Sequence, residues 1–130
     1  MIYLDTSVAL AQLLAEDRQP PLDLWKESLI SSRLLEYEVW TRIHSRKLAA
    51  THSESVRILL ASIALVELAP PVLARALESF PAPVRTLDAL HLASIEFLRG
   101  HGQKVALASY DRRLSEAARR LDIPAYPLRG

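Results

Sequence analysis

The sequence has 130 residues, half of them hydrophobic, which is enough for one domain with a sizeable core. It contains no cysteine, so disulfides, zinc ribbons, iron–sulfur clusters and thiol nucleophiles are excluded, and a bound metal would need oxygen or imidazole ligands. The net charge of +1 is too small to predict a nucleic-acid partner, because that inference needs a basic face rather than a total.

Neither a membrane span nor a signal peptide is indicated by the pattern of apolar residues. No stretch approaches the roughly 18 apolar residues of a transmembrane helix, and the N-terminus lacks a basic segment followed by an apolar one. We therefore expect a soluble, cytoplasmic protein without a membrane partner, formed by a single domain over residues 1–130.

The N-terminal stretch predicts a strand that ends in a polar turn. Residues 2–4 are apolar and rich in β-formers, as in a short strand buried on both faces. Asp5 and Thr6 follow in the turn, and a helix is predicted from Ser7 to about Arg18. In open α/β sheets, ligands bind outside this end of the strands. Capping of the helix by Asp5 and Ser7 explains the stretch equally well when it is taken alone.

Predicted strands and helices alternate along the rest of the chain. Short apolar runs predict four strands, or five if the last run adds an edge strand: 2–4, 29–31, 64–68, 104–109 and 124–128. Helices are expected after the caps Ser32 and Thr86, from Thr51 or Ser53, from Pro70, and after Asp111. This alternation predicts an α/β fold, with a central, mostly parallel four- to five-stranded sheet between two layers of helices.

Four acidic residues occupy positions that can converge at one edge of this sheet: Asp5, Glu38, Asp88 and Asp111. Each lies at a strand exit, in a first helical turn or on the margin of a helix. Without a counter-charge four such carboxylates would repel one another, and a divalent cation removes that conflict. Ligation by oxygen alone favours Mg²⁺ or Mn²⁺, which could activate a water and stabilise a transferring phosphoryl group. The pattern therefore predicts metal-assisted phosphodiester hydrolysis.

Simpler roles exist for each acid. Glu38 could pair with Arg42 at the i, i+4 spacing, a surface interaction of about 0.3 to 0.5 kcal/mol. Asp88 could be favoured by the helix dipole, and Asp111 could be a helix cap. These explanations suffice for the acids taken singly, but they do not account for the occurrence of all four.

Other side chains could support such a site. Thr6 and Ser109 are candidate hydroxyls for orienting a carboxylate or a phosphate, although helix capping serves nearly as well. An acidic pocket that binds a phosphate backbone needs a basic rim. The candidates for that rim, each of which could equally be an ordinary surface charge, are Arg42, Arg46, Arg85, Arg112 and Arg113. His91, three residues after Asp88 among apolar neighbours, is interpreted as a core or supporting residue rather than a general base.

Four segments around these acids carry a family resemblance. They are residues 2–7 (IYLDTS), 32–42 with Glu38 inside, 85–93 (RTLDALHLA) and 109–114 (SYDRRL). Each is weak by itself, but the four in this order are a strong signal that covers nearly the whole chain. The sequence resembles PIN-domain ribonucleases, and specifically the VapC toxins of bacterial type II toxin–antitoxin systems.

The resemblance implies a PIN-like domain with Mg²⁺-dependent endoribonuclease activity, with Mn²⁺ as an alternative metal. It assigns Asp5, Glu38, Asp88 and Asp111 as the catalytic and metal-binding set. It also implies an RNA substrate, such as tRNA or another structured RNA, a small VapB-like antitoxin and a homodimer. Many relatives carry a further acid two residues after the last aspartate, where this chain has Arg113. This departure puts a second bound metal in doubt.

Other functions share part of this residue pattern. An aspartyl-phosphate phosphatase needs a second aspartate two residues after the first, where this chain has Ser7. A FEN-type DNA nuclease would share the acids but is usually longer. An RNA-processing nuclease without an antitoxin stays open, and a catalytically silent PIN-like binding module is disfavoured because all four acids are present.

Overall fold

The first strand, β1 (Ile2–Leu4), lies inside the sheet of the computed structural model, which describes residues 1–128. It pairs in parallel with β2 (Leu29–Ser32) on one side and with β4 (Ala106–Ala108) on the other. The third strand, β3 (Ala64–Val66), lies beside β2, so the strand order is β3-β2-β1-β4. The parallel sheet predicted from the alternating pattern is confirmed.

Helices cover both faces of this sheet. They are α1 (Thr6–Leu13), α2 (Arg33–Ser45), α3 (Ala49–Ala61), α4 (Pro70–Ala76), α5 (Thr86–Gly100) and α6 (Arg112–Arg120), with a 3₁₀ turn at Leu22–Lys26. Among residues 1–128, no helix has the length and apolar character that crossing a bilayer requires.

The side chains of β1 alternate between two hydrophobic clusters, as the period of a strand requires. Ile2 and Leu4 join a cluster built with α1, α2 and α3, whereas Tyr3 joins one built with α5 and α6. Leu35 and Leu92 are fully buried in these two clusters, one on each face. Because burying such a side chain contributes about 1.5 to 3 kcal/mol, both helical layers are anchored to the sheet. The three-layer α/β/α arrangement is thus confirmed.

The first helix is shorter than its apolar pattern predicted. It begins at Thr6 with Asp5 as its cap, and it ends at Leu13 rather than near Arg18. Ala15 adopts a left-handed backbone conformation with φ of 49°, which interrupts the helical path. The chain that follows is therefore free to turn back over the end of the sheet.

The last predicted strand is reduced to one bridge. Ala125 pairs in parallel with Leu107, flanked by hydrogen bonds from the Leu107 N–H to Pro124 and from the Tyr126 N–H to Leu107. Among residues 1–128, the bridge is not extended into a strand. Other boundaries also differ from prediction, since α3 begins at Ala49, β3 ends at Val66 and β4 covers only three residues.

Candidate active site

Asp5 lies where β1 ends and α1 begins, and its side chain is buried with 6% exposure of the residue. Its Oδ2 atom accepts hydrogen bonds from the hydroxyl of Ser7 at 2.7 Å and from that of Ser109 at 2.8 Å. The same atom caps the helix by accepting the Ser7 N–H at 3.4 Å. Asp5 therefore caps α1, as the simpler interpretation held, while two hydroxyls fix the orientation of its carboxylate.

The two serines also tie α1 to the loop after β4. The Ser7 hydroxyl accepts the N–H of Tyr110 at 2.9 Å, and the Ser109 hydroxyl accepts the N–H of Asp111 at 2.9 Å. Asp5 and Asp111 are thereby brought to the same end of the sheet. Ser109 was predicted as a supporting hydroxyl, whereas Ser7 was interpreted only as a residue that starts or caps the helix, and its contact with the loop was missed.

Glu38 approaches from α2 and is held by two donors. Its Oε1 atom accepts hydrogen bonds from the Thr6 hydroxyl at 2.7 Å and from Nε2 of His91 at 2.7 Å. Burial alone would raise the pKa of Glu38, but the hydrogen bond and charge of His91, the Thr6 hydroxyl and the attraction of Arg42 hold it below its ordinary value. Glu38 is therefore ionised at neutral pH.

Asp88 lies in the first turn of α5 and is 7% exposed. Within residues 1–128 its buried Oδ2 atom has no hydrogen-bond donor, and the nearest cation is Nε of Arg85 at 3.7 Å. Burial and the negative charges of Asp111 and Asp5 raise the pKa of Asp88, although Arg85 opposes the shift. A buried oxygen without a donor, close to like charges, is an acceptor suited to a cation.

Asp111 divides its two oxygens between a helix and the site. Its Oδ1 atom caps α6 by accepting the N–H groups of Arg113 at 2.9 Å and Leu114 at 3.2 Å. Its Oδ2 atom lies 3.5 Å from an Nη atom of Arg85, which bridges Asp111 and Asp88. The capping role and a place in the pocket are thus compatible.

The four acids line one pocket of about 900 Å³. The side chains of residues 1–128 nevertheless include no group of three or more histidines or acids close enough to enclose a metal ion as they lie. Mg²⁺ is commonly bound through one or two carboxylates with waters and substrate phosphates completing its shell, so a closed protein cage is not required. The all-oxygen donors and the unpartnered Oδ2 atom of Asp88 fit such a cation, and the metal assignment stays a prediction.

The predicted arginines are divided between the pocket and the outer surface. Arg42 and Arg85 line the acidic pocket. Arg112 lines a neighbouring pocket beside α6, and Arg46 and Arg113 are exposed. The basic lining of the acidic pocket is therefore formed by Arg42 and Arg85 together with Arg18, which was not predicted for the rim.

His91 lies deeper, one helical turn after Asp88, and is 1% exposed. Its Nδ1 atom is 2.7 Å from the hydroxyl of Tyr3, and its Nε2 atom is 3.9 Å from Oδ1 of Asp5 in addition to its bond with Glu38. Burial opposes a charged imidazole, but Tyr3 and the two carboxylates raise the pKa of His91 above its ordinary value. His91 is therefore both a core residue and a supporting one. The role of Tyr3 was missed, although a tyrosine in a buried strand needs a partner for its hydroxyl.

Comparison with known proteins agrees with this geometry. The family model described as PIN domain matches residues 2–120. Ribonuclease VapC47 of Mycobacterium tuberculosis (strain CDC 1551 / Oshkosh) is 31% identical over 126 residues, covering 92% of this chain and 90% of that protein. Ribonuclease VapC35 of the same strain is 32% identical over 132 residues, covering 95% and 93%. The chain therefore belongs to the PIN-domain family and is of the VapC type.

Proposed function

We propose that this protein is a divalent-metal-dependent endoribonuclease that acts as the toxin of a type II toxin–antitoxin pair. The observation that carries the proposal is the buried Oδ2 atom of Asp88, which has no donor among residues 1–128 and lies in the pocket that Asp5, Glu38 and Asp111 also line. An acceptor of this kind is costly unless a cation satisfies it. The two relatives are named ribonucleases, which supports RNA as the substrate class.

Each part of the pocket has a task in this proposal. Asp5, Glu38, Asp88 and Asp111 would hold Mg²⁺ or Mn²⁺. The metal would activate a water and stabilise negative charge on the phosphoryl group. Thr6 and Ser109 orient Glu38 and Asp5 through their hydroxyls.

The arginines bind the RNA backbone in this proposal. Arg42 and Arg85 are placed to contact the phosphate nearest the acids. Arg112 and Arg113, at the exposed start of α6, would contact phosphates farther along the strand. Because these contacts release counterions, RNA binding should weaken as salt rises.

A direct test compares cleavage of a labelled structured RNA, such as tRNA, with and without metal. The wild-type protein should cleave with Mg²⁺ or Mn²⁺ and stop when EDTA is added, and Asp88→Asn should be inactive. Asp23→Asn is a matched control, because that carboxylate is 84% exposed and does not line the pocket. Equal cleavage with and without chelator would refute the metal requirement. Cleavage of DNA but not of RNA would refute RNA as the substrate.

The toxin role is tested separately by expression. Induced alone, the wild-type chain should arrest growth while Asp5→Ala does not. We propose that a short VapB-like antitoxin from a neighbouring gene restores growth by forming a complex, with an Arg or Lys pairing with the acids. We also propose that the active form is a cytoplasmic homodimer, which sedimentation would test. If the wild type cleaves RNA but is harmless, an RNA-processing nuclease without an antitoxin is the better account.

A further inference from the structure

A buried chain of hydrogen bonds runs from the core of the sheet to the acidic pocket. It starts at Tyr3, which is fully buried in β1, and passes through His91, which is 1% exposed in α5. The Tyr3 hydroxyl lies 2.7 Å from Nδ1 of His91, and Nε2 of His91 lies 2.7 Å from Oε1 of Glu38. Both nitrogens of the imidazole are therefore fixed, so the ring has one orientation.

The hydrogen bonds that join Tyr3, His91 and Glu38 can form whether the imidazole of His91 is neutral or protonated. An ionised Glu38 can only accept, so Nε2 of His91 must carry a hydrogen. When the imidazole is neutral, Nδ1 accepts from the Tyr3 hydroxyl; when it is protonated, Nδ1 donates to the Tyr3 oxygen. The contact from His91 to Glu38 is present in both states.

This contact determines which oxygen of Glu38 is available to the pocket. Oε1 is bonded to both His91 and Thr6, which leaves Oε2 as the oxygen without these two donors. Nε2 of His91 also lies 3.9 Å from Oδ1 of Asp5, between the two carboxylates. His91 lines the same pocket, and its Nε2 atom thus bonds to Glu38 and lies close to Asp5.

We propose that Tyr3 and His91 are positioning residues of this site: His91 aims the Glu38 carboxylate beside Asp5, and Tyr3 locks His91 from the core. The proposal rests on the proposed nuclease function. Holding ligands in their final geometry before metal and substrate arrive favours both binding and reaction. Because Asp88 and His91 are three residues apart on α5, one helix face supplies both a ligand and the support for another ligand.

Three variants separate this role from ordinary core packing. Tyr3→Phe removes only the hydroxyl and keeps the buried ring, so the fold is retained. His91→Leu removes the donor to Glu38. Ser94→Ala, the control, alters a fully buried polar residue one turn later on α5, whose hydroxyl bonds to the backbone of Leu90.

The first readouts are Mn²⁺ affinity by calorimetry and the steady-state constants for RNA cleavage. His91→Leu should lose about 10- to 100-fold in Mn²⁺ affinity or kcat, as is typical when a partner of a metal ligand is removed. Tyr3→Phe should show a smaller loss of the same kind. The KM for RNA should be unchanged, because the arginines that bind phosphate are untouched. Ser94→Ala should keep both wild-type values.

A double-mutant cycle tests whether His91 acts through Glu38. If it does, adding His91→Leu to Glu38→Gln should cause no further loss of Mn²⁺ affinity. Full additivity of the two losses would overturn the proposal. Wild-type values in both Tyr3→Phe and His91→Leu would overturn it as well.

A metal-free readout keeps this inference distinct from the proposed function. Nitrogen NMR of the wild-type histidines should show His91 Nε2 carrying a slowly exchanging hydrogen, and Tyr3→Phe should shift the Nδ1 signal. If the wild type neither binds Mn²⁺ nor cleaves RNA, the proposed function fails. If the wild type does both and His91 Nε2–H exchanges rapidly, the positioning role alone fails.

Discussion

Replacing Asp88 with asparagine removes a buried negative charge while nearly preserving the shape of the side chain. In the metal-free protein the Oδ2 atom of Asp88 is buried without a donor among residues 1–128, and the charges of Asp111 and Asp5 act against it. The substitution should therefore abolish cleavage and yet stabilise the metal-free fold. This combination distinguishes a metal-binding acid from a structural one.

The size of the effect follows from the two contacts that change. A buried acceptor without a donor costs about 1 to 3 kcal/mol, and more when it is charged, and the neutral amide removes the part that is due to the charge. The attraction of Arg85, a side chain that is 65% exposed, is worth only about 0.2 to 1 kcal/mol and is lost in the variant. The net gain is about 1 kcal/mol. For 130 residues the unfolding entropy is about 0.27 kcal/mol/K, so Tm should rise by about 4 °C.

With divalent metal bound, the wild type should instead melt at a higher temperature than Asp88→Asn. A ligand at 100 times its Kd stabilises the folded state by about 2.7 kcal/mol, which raises the Tm of the wild type by about 10 °C. Asp88→Asn should gain much less, because one ligand is missing. Thermal melts with EDTA and with Mn²⁺ measure both effects, and Asp23→Asn should follow the wild type in each.

Acid pH gives an independent check on the same residue. The pKa of Asp88 is raised above its ordinary value of 3.8, mainly by burial and by Asp111. Its contribution to stability is therefore complete below 3.8 and is lost as pH rises through the raised value. The Tm difference between wild type and Asp88→Asn should close as the pH falls through that window. A metal-free variant that melts several degrees below the wild type would show that Asp88 is structural and that the buried-charge argument is wrong.

Three further substitutions test other parts of the structure. Leu35→Ala should cost about 2 to 5 kcal/mol in thermal unfolding, because this side chain is fully buried against the sheet. Ser109→Ala removes the hydroxyl that joins Asp5 to the loop after β4, and it should lower Mn²⁺ affinity about tenfold in calorimetry. Arg85→Ala should weaken RNA binding in filter-binding assays and reduce the slope of log affinity against log salt concentration by about 0.7. Unchanged affinity would show that Arg85 does not contact the RNA.

The sheet and the places of three of the acids in the fold could be predicted because local patterns determine them. The apolar triplet of β1 and the polar turn after it indicate a parallel strand whose end holds Asp5. Asp111 stands in the same relation to β4, so topology alone places both at one edge. Asp88 follows from its place in the first turn of α5.

The orientation of Glu38 could not be predicted in this way. It depends on contacts between residues far apart in sequence, such as Tyr3 with His91, which no local spacing encodes. The end of α1 was also missed, because alanine gives no sequence signal for the left-handed conformation of Ala15. Side chains that act through partners on other elements are therefore the part of a site that sequence reveals least.

The inner position of β1 also governs when the pocket can exist during synthesis. Asp5 emerges from the ribosome early, but the Ser109 hydroxyl that orients it is 104 residues later in the chain. The β4 partner of β1 arrives equally late, so the central pairing depends on contacts that are distant in sequence and slow to form. A growing chain holds Asp5 without Asp111 and without the loop that fixes them together. The pocket therefore cannot be assembled on a nascent chain before the segment through Asp111 has been synthesised.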